Sequence, residues 1–266
     1  MKTVVITGSA RGFGYAMIEL FRKNNFNVVV CDVNEKYLQE AVNKLNNIKS
    51  DAKILSFHCD ITNEDDVKRL IDNTLKETNT IDIWINNAGV NQPNLPIWQL
   101  EQNDINRLID IDLKGTILCS RLIMNVMNNQ HSGQIYNVEG FGSNNSLMTG
   151  LSIYGTTKRA ITYFTEALAH ECKEMNNNVL IGKITPGIMI TNFITTSLGD
   201  KDKIELSEKT KKVYNILGDY PETIANFMVD KIIKNKKNNV KFAWLTSTRA
   251  FFRFASSSFN KRDFFK

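Results

Sequence analysis

Residues 3–14 read TVVITGSARGFG. A five-residue apolar, β-branched run (3–7) enters a turn carrying Gly8, Gly12 and Gly14, and the helix-like GYAMIELFRKNN (14–25) follows at once. Strand, glycine turn and helix in that order let the backbone approach a pyrophosphate, which the first N–H groups and positive end of the helix then face. A glycine pattern alone is weak evidence, and a plain tight turn is the competing reading. Here the strand before, the helix after and an acid at the end of the second strand, Asp32, support the nucleotide reading. The candidate contacts are Gly8, Ser9, Arg11, Gly12, Phe13, Gly14 and Asp32.

The same alternation continues outward. NVVVCD (27–32) precedes EKYLQEAVNKLNNI (35–48), KILSFHCD (53–60) precedes EDDVKRLIDNTLKE (64–77), and IDIWINNAG (81–89) precedes a helical stretch over 102–130. QIYNV (134–138) precedes a helical stretch over 151–175, and VLIGKITPG (179–187) follows. Short buried runs joined by amphipathic segments give an α/β fold, a single doubly wound Rossmann-type parallel sheet with helices on both faces. About seven strands are expected, with right-handed crossovers. No linker or repeat interrupts the pattern, so residues 1–266 are read as one domain. Residues 187–220 are irregular and are assigned as a substrate loop. Pro221 opens a helix that ends in basic residues, VKFAWL (240–245) is the last strand, and residues 246–266 form an aromatic and basic tail.

Composition narrows the function classes. The chain has 266 residues, 42% hydrophobic and 23% charged, with a net charge of +5 spread along its length. That is an ordinary solvated surface and argues against a nucleic-acid partner. There is no apolar run long enough to span a membrane. Strand-like sequence from residue 2 sets the expectation of no leader peptide and a cytoplasmic location. Cys31, Cys59, Cys119 and Cys172 are far apart and read as free, mostly buried thiols, while His58, His131 and His170 are equally scattered, so no metal site is expected.

Asp32 also bears on the cofactor. A carboxylate there accepts hydrogen bonds from both ribose hydroxyls of the adenosine half and repels a 2′-phosphate, which favours NAD(H) over NADP(H). Arg11 argues the other way, since a cation in the glycine turn can pair with that phosphate. Asp32 is the stronger argument because it excludes as well as attracts.

Tyr154 and Lys158 stand i and i+4 on a helical segment, so both point from one face. A neighbouring ammonium, with a cationic nicotinamide nearby, is expected to lower the phenol from its ordinary value and make Tyr154 an acid and base for a carbonyl or alcohol oxygen.

Taken together, TGSARGFG (7–14), Asp60 in HCDIT, NNAG (86–89), YGTTK (154–158) and TPG (185–187) resemble the short-chain dehydrogenase/reductase family over nearly the whole chain. The resemblance implies a nicotinamide cofactor across the C-terminal edge of the sheet. It implies Asp60 and Ile61 beside the adenine, and Asn87, Ala88 and Gly89 along the ribose and phosphates. Pro186, Gly187 and Ile188 would pass the nicotinamide, and Lys158 would hold its ribose. The second half is more similar to the chlorophyll b reductase branch, through NNAGVNQP (86–93), YGTTK, TPGIMITNF (185–193) and YPETIA (220–225). Three positions depart from these patterns. Cys31 and Asp32 stand where that branch tends to carry a Ser-Arg type pair. Gly140 stands where the family usually has the serine that holds the substrate oxygen, and Asp112 stands where it usually has an asparagine.

Ser143 is the candidate to replace that serine, with Glu139 turned elsewhere; Ser146 and Ser152 are weaker stand-ins, and a plain turn role for Ser143 is an equal alternative. Asp112 is expected to raise Lys158 and blunt its effect on Tyr154. Ile188, Met189, Ile190, Phe193 and Leu198 point to a hydrophobic carbonyl or alcohol substrate. Phe251, Phe252, Phe254, Phe259, Phe264 and Phe265 in the tail are expected to pack on the chain or a partner subunit, with contact to a membrane surface a lesser option. The resemblance also implies a homodimer or homotetramer built on the long helices. The functional expectation is an NAD(P)(H)-dependent oxidoreductase; a dinucleotide-binding scaffold or redox sensor without turnover is the alternative, and a chlorophyll b reductase-like activity is a minority option.

Overall fold

The computed structural model describes residues 1–191, 193, 196–197, 202–203, 206–259 and 262–265. The strands are β1 (Thr3–Thr7), β2 (Asn27–Asp32), β3 (Ile54–His58), β4 (Ile83–Asn86), β5 (Gly133–Val138), β6 (Val179–Thr185), a separate antiparallel pair β7 (Thr196–Ser197) and β8 (Asp202–Lys203), and β9 (Val240–Ala243). Seven of them form one sheet in the order β3-β2-β1-β4-β5-β6-β9, every neighbouring pair parallel. The order reverses between β1 and β4, the switch point whose crevice, at the C-terminal ends of the strands, receives ligands in sheets of this kind. The doubly wound expectation is met.

The period-two alternation of strand side chains builds two cores from the same strands. Val4, Ile6, Val28 and Val30 face α1 (Gly12–Lys23), α2 (Glu35–Asn46) and α8 (Pro221–Lys234), where Phe21, Leu45 and Met228 fill the layer. Val5, Val29 and Cys31 face the opposite side, against α3 (Glu64–Thr78), α5 (Thr116–Gln130) and α6 (Ser152–Glu174). This is why the strands read as continuous apolar runs: both faces are buried. All four cysteines are buried and free, as expected. Among the described residues no helix is long and apolar enough to cross a membrane.

The helical stretch over 102–130 is not one α-helix. α4 (Gln102–Leu108) passes into a π-helical turn, Ile109–Gly115, before α5 begins. The wider turn sets Asp112 fully inside the protein, where Thr116 Oγ1 donates to its carbonyl at 2.8 Å and its carboxylate turns towards the crevice. π-turns cluster at functional positions, and periodicity does not reveal them. The loop after β6 carries α7 (Glu208–Leu217), and α9 (Ser247–Ala255) follows β9. Leu198 lies outside the described residues.

Candidate active site

β1 and β4 are tied together under the glycine turn. Thr7 Oγ1 accepts from the Asn87 and Ala88 N–H groups, both at 3.0 Å, and Asn87 Nδ2 donates to the carbonyls of Thr7 and Gly8, each at 3.0 Å. Gly8 and Gly12 have φ of 60° and 59°, the left-handed region where other residues are strained. A Cβ on Gly8 would lie 2.8 Å from Ala88 Cα, and one on Gly14 would lie 2.6 Å from the Gly8 carbonyl, so neighbouring backbone fills both places. A Cβ on Gly12 would meet nothing within 4 Å, which leaves open space beside the start of α1. Arg11, at the N-cap of α1, makes no side-chain cap hydrogen bond. Open space, uncapped helical N–H groups and left-handed glycines fit a pyrophosphate.

Ser9 holds the rear of the turn: its N–H reaches the Cys31 carbonyl at 3.1 Å and its hydroxyl accepts from the Cys31 N–H at 3.3 Å. Phe13 is buried behind it. Asp32 ends β2 and accepts from the Asn34 N–H at 3.2 Å. Burial pushes its carboxyl up, opposed by the Asn34 N–H and the Arg11 charge. Arg11 lies 4.6 Å from the centre of the Tyr37 ring, so its guanidinium has an aromatic support on the same rim. Asp60 Oδ1 accepts from the Thr62 N–H and hydroxyl, at 2.9 and 2.8 Å, and Ile61 is buried beneath Gly115.

On the far side of the crevice, Tyr154 and Lys158 are both buried on α6. Lys158 Nζ lies 5.4 Å from the centre of the Tyr154 ring and 3.1 Å from Asp112 Oδ2. The second contact is an ion pair rather than an aligned hydrogen bond, since Oδ2 has no hydrogen-bond partner among the described residues. Asp112 Oδ1 accepts from the Val90 N–H at 2.8 Å, next to Gly89. Burial raises the Asp112 carboxyl against the pull of Lys158. Burial alone would lower Lys158, yet Asp112 and Tyr154 raise it overall.

Tyr154 itself is raised. Burial pushes the phenol up, Lys158 pulls it down, and Asp112 and Tyr214 push it up again. The expectation of a phenol tuned downward is therefore corrected for the protein on its own: burial outweighs the pull of Lys158, and the Asp112 carboxylate, 3.1 Å from that ammonium, adds to the rise.

The loop after β5 carries Glu139, Gly140 and Ser143. Gly140 lies against Tyr154, so that a Cβ on it would fall 2.3 Å from the Tyr154 hydroxyl and 3.1 Å from Lys158 Cγ. Ser143 is buried three residues on, in a turn: its hydroxyl donates to the Gly140 carbonyl at 2.7 Å and its N–H reaches the same oxygen at 3.2 Å. Ser146 is half-buried and Ser152 exposed. Glu139 does turn elsewhere, accepting from the hydroxyls of Thr162 at 2.7 Å and Thr185 at 2.6 Å and pairing with Lys241 at 2.8 Å. Burial would raise Glu139, but these partners, Lys241 foremost, hold it below the usual carboxylate range. It thereby fixes the approach to Pro186, Gly187 and Ile188, where Gly187 has φ of 77°. Phe193 faces the site with its ring centre 6.1 Å from that of Tyr154.

Gln92 has a positioning role that the sequence reading missed. Its buried Oε1 accepts from the N–H groups of Ile153 and Tyr154, at 2.9 and 3.1 Å, and caps α6 at Tyr154. The signal was indirect: α6 begins at Leu151-Ser152 without a side-chain cap of its own.

Comparison with known proteins agrees with this arrangement. The family model described as short chain dehydrogenase matches residues 2–202. The Arabidopsis thaliana protein named "Probable chlorophyll(ide) b reductase NYC1, chloroplastic" is 31% identical over 93% of this chain and 51% of its own length. The chloroplastic chlorophyll(ide) b reductase NOL of Oryza sativa subsp. japonica is 31% identical over 86% of this chain and 66% of its own. The chain thus spans about half the length of the first relative and just under two thirds of the second. An uncharacterized oxidoreductase, YxbG of Bacillus subtilis, is 32% identical over 79% of this chain and 75% of its own. Among solved structures, the closed form of a serine dehydrogenase with NADP+ has a TM-score of 0.78 at 22% identity, covering 90% of this chain and 94% of its own. A 3-ketoacyl-(acyl-carrier-protein) reductase from Brucella melitensis with NADH also has a TM-score of 0.78 at 22% identity, covering 91% and 96%. Both share the fold.

Proposed function

This chain belongs to the short-chain dehydrogenase family, and from that premise we propose that it moves hydride between a nicotinamide dinucleotide and a hydrophobic carbonyl or alcohol. The observation that carries this reading is Tyr154 and Lys158 buried side by side across the crevice from an open glycine turn. When bound, the dinucleotide supplies or accepts the hydride. Gly8, Gly12 and the first turn of α1 would hold its pyrophosphate, Asp32 its adenosine ribose, Asn87, Ala88 and Gly89 the middle, and Lys158 the nicotinamide ribose. Tyr154 gives its proton to the substrate oxygen in reduction and takes it back in oxidation.

Ser143 is proposed as the second donor to the substrate oxygen, its hydroxyl leaving the Gly140 carbonyl to do so. A Ser143→Ala enzyme should lose about tenfold in kcat/KM; unchanged kinetics would leave Ser143 as a turn residue. NAD(H) is the proposed cofactor, on the strength of Asp32. The apolar side chains of Ile188, Met189, Ile190 and Phe193 favour a bulky apolar substrate, and the plant relatives make a chlorophyll-type formyl group the narrowest version of that reading. Residues 1–266 are taken as one domain that self-associates through α5 and α6. The test is consumption of NADH and NADPH against a panel of bulky aldehydes and ketones. Turnover that prefers NADH is expected; cofactor binding without turnover across the panel would favour the scaffold reading.

A further inference from the structure

We propose that Asp219 and the two tail arginines it binds, Arg253 and Arg262, hold the C-terminal end of α7 against the start of the substrate loop and so set the affinity for substrate. Asp219 is a buried junction of three segments. Its backbone pairs with the start of the substrate loop: its N–H reaches the Ile188 carbonyl at 3.1 Å, and its carbonyl accepts from the Ile190 N–H at 3.0 Å. Its carboxylate takes Arg253 at 2.7 Å, Arg262 at 3.0 Å and Trp244 Nε1 at 2.6 Å.

The same arginines close the C-terminal end of α7. Arg253 donates to the Leu217 carbonyl at 2.9 Å, and Arg262 donates to the carbonyls of Gly218, at 3.0 Å, and Ile216. These are carbonyls that a helix end leaves unsatisfied, and cations are favoured there. Tail aromatics extend the clamp: Phe265 lies 6.4 Å from Tyr214 and Phe264 lies 5.1 Å from Tyr220, centre to centre. Phe193 of the substrate loop has its ring centre 6.1 Å from that of Tyr154. A path therefore runs from the tail through Asp219 to the substrate loop, whose Phe193 faces Tyr154.

This inference rests on the proposed reductase reading, so the test has one arm that needs no turnover. In the first arm, amide exchange of residues 208–217 is followed in wild type, Arg262→Ala, Arg253→Ala and Arg262→Lys. Exchange at least about tenfold faster in the alanine variants, with α8 unchanged and Arg262→Lys intermediate, is expected. Equal protection of α7 in all four proteins would overturn the proposal. In the second arm, KM for the best bulky carbonyl should rise at least about fivefold in Arg262→Ala, with NADH affinity and kcat within about twofold. A rise in cofactor Kd matching the rise in KM would overturn it, as general loss of structure. A wild-type protein without turnover fails the reductase reading alone, and the exchange arm then decides the clamp.

Discussion

A Cβ placed on Gly12 would meet nothing within 4 Å, whereas one placed on Gly140 would lie 2.3 Å from the Tyr154 hydroxyl. Gly12 opens α1 after β1 and Gly140 follows β5, at the same edge of the sheet, but they lack a side chain for different reasons. At Gly12 the space is left open and the backbone is left-handed, which suits a ligand. At Gly140 the space is occupied by the Tyr154 hydroxyl. The absent serine is thus not a simple deletion from the site: Tyr154 stands where that side chain would begin. Restoring a serine at 140 would displace Tyr154, the proposed acid.

The largest effect should come from filling the second space. Gly140→Ala must move Tyr154 or the loop, and should lower kcat by about 100-fold or more while NADH affinity stays within about threefold. Wild-type kcat in that variant would break the comparison. Gly12→Ala should do the reverse. It places a Cβ in the left-handed region, at a cost of about 1–2 kcal/mol, and in the proposed pyrophosphate space. NADH affinity should fall about tenfold or more by fluorescence titration, with the single-turnover rate at saturating cofactor within about threefold.

The smallest effect concerns Asp112. The carboxylate holds Lys158 up and pushes Tyr154 up. Alcohol oxidation needs the phenolate, so its rate should rise with pH as Tyr154 ionises, above the ordinary phenol value of about 10. Carbonyl reduction needs the phenol and should fall over the same range. Asp112→Asn removes the negative charge, lowers Tyr154 and moves both limbs to lower pH. Oxidation at pH 8 should become about three to ten times faster. An unmoved pH–rate profile would show that Asp112 does not act on Tyr154.

The cofactor half was legible because its signals are local. The run 3–14, Asp32 and the NNAG at 86–89 each lie within one strand-turn unit, and the parallel sheet follows from strand and helix alternation, though its strand order does not. The catalytic half was legible in its residue types but not in its distances. The Asp112–Lys158 pair joins residues 46 positions apart through a π-turn that periodicity does not show. The Gln92 cap on Tyr154 spans 62 positions, and the Asp219 junction gathers charges from a tail that reads as only aromatic and basic. Even the direction of the Tyr154 shift needed burial, which a sequence does not display.

The most direct measurement is single-turnover oxidation of enzyme-bound NADH on mixing with a bulky aldehyde, for wild type and Tyr154→Phe, with NADH affinity measured on both. The account predicts a loss of about 100-fold or more in the rate with affinity within about threefold, because the phenol beside Gly140 delivers the proton. Equal rates in the two proteins would contradict it and place the acid elsewhere in the site.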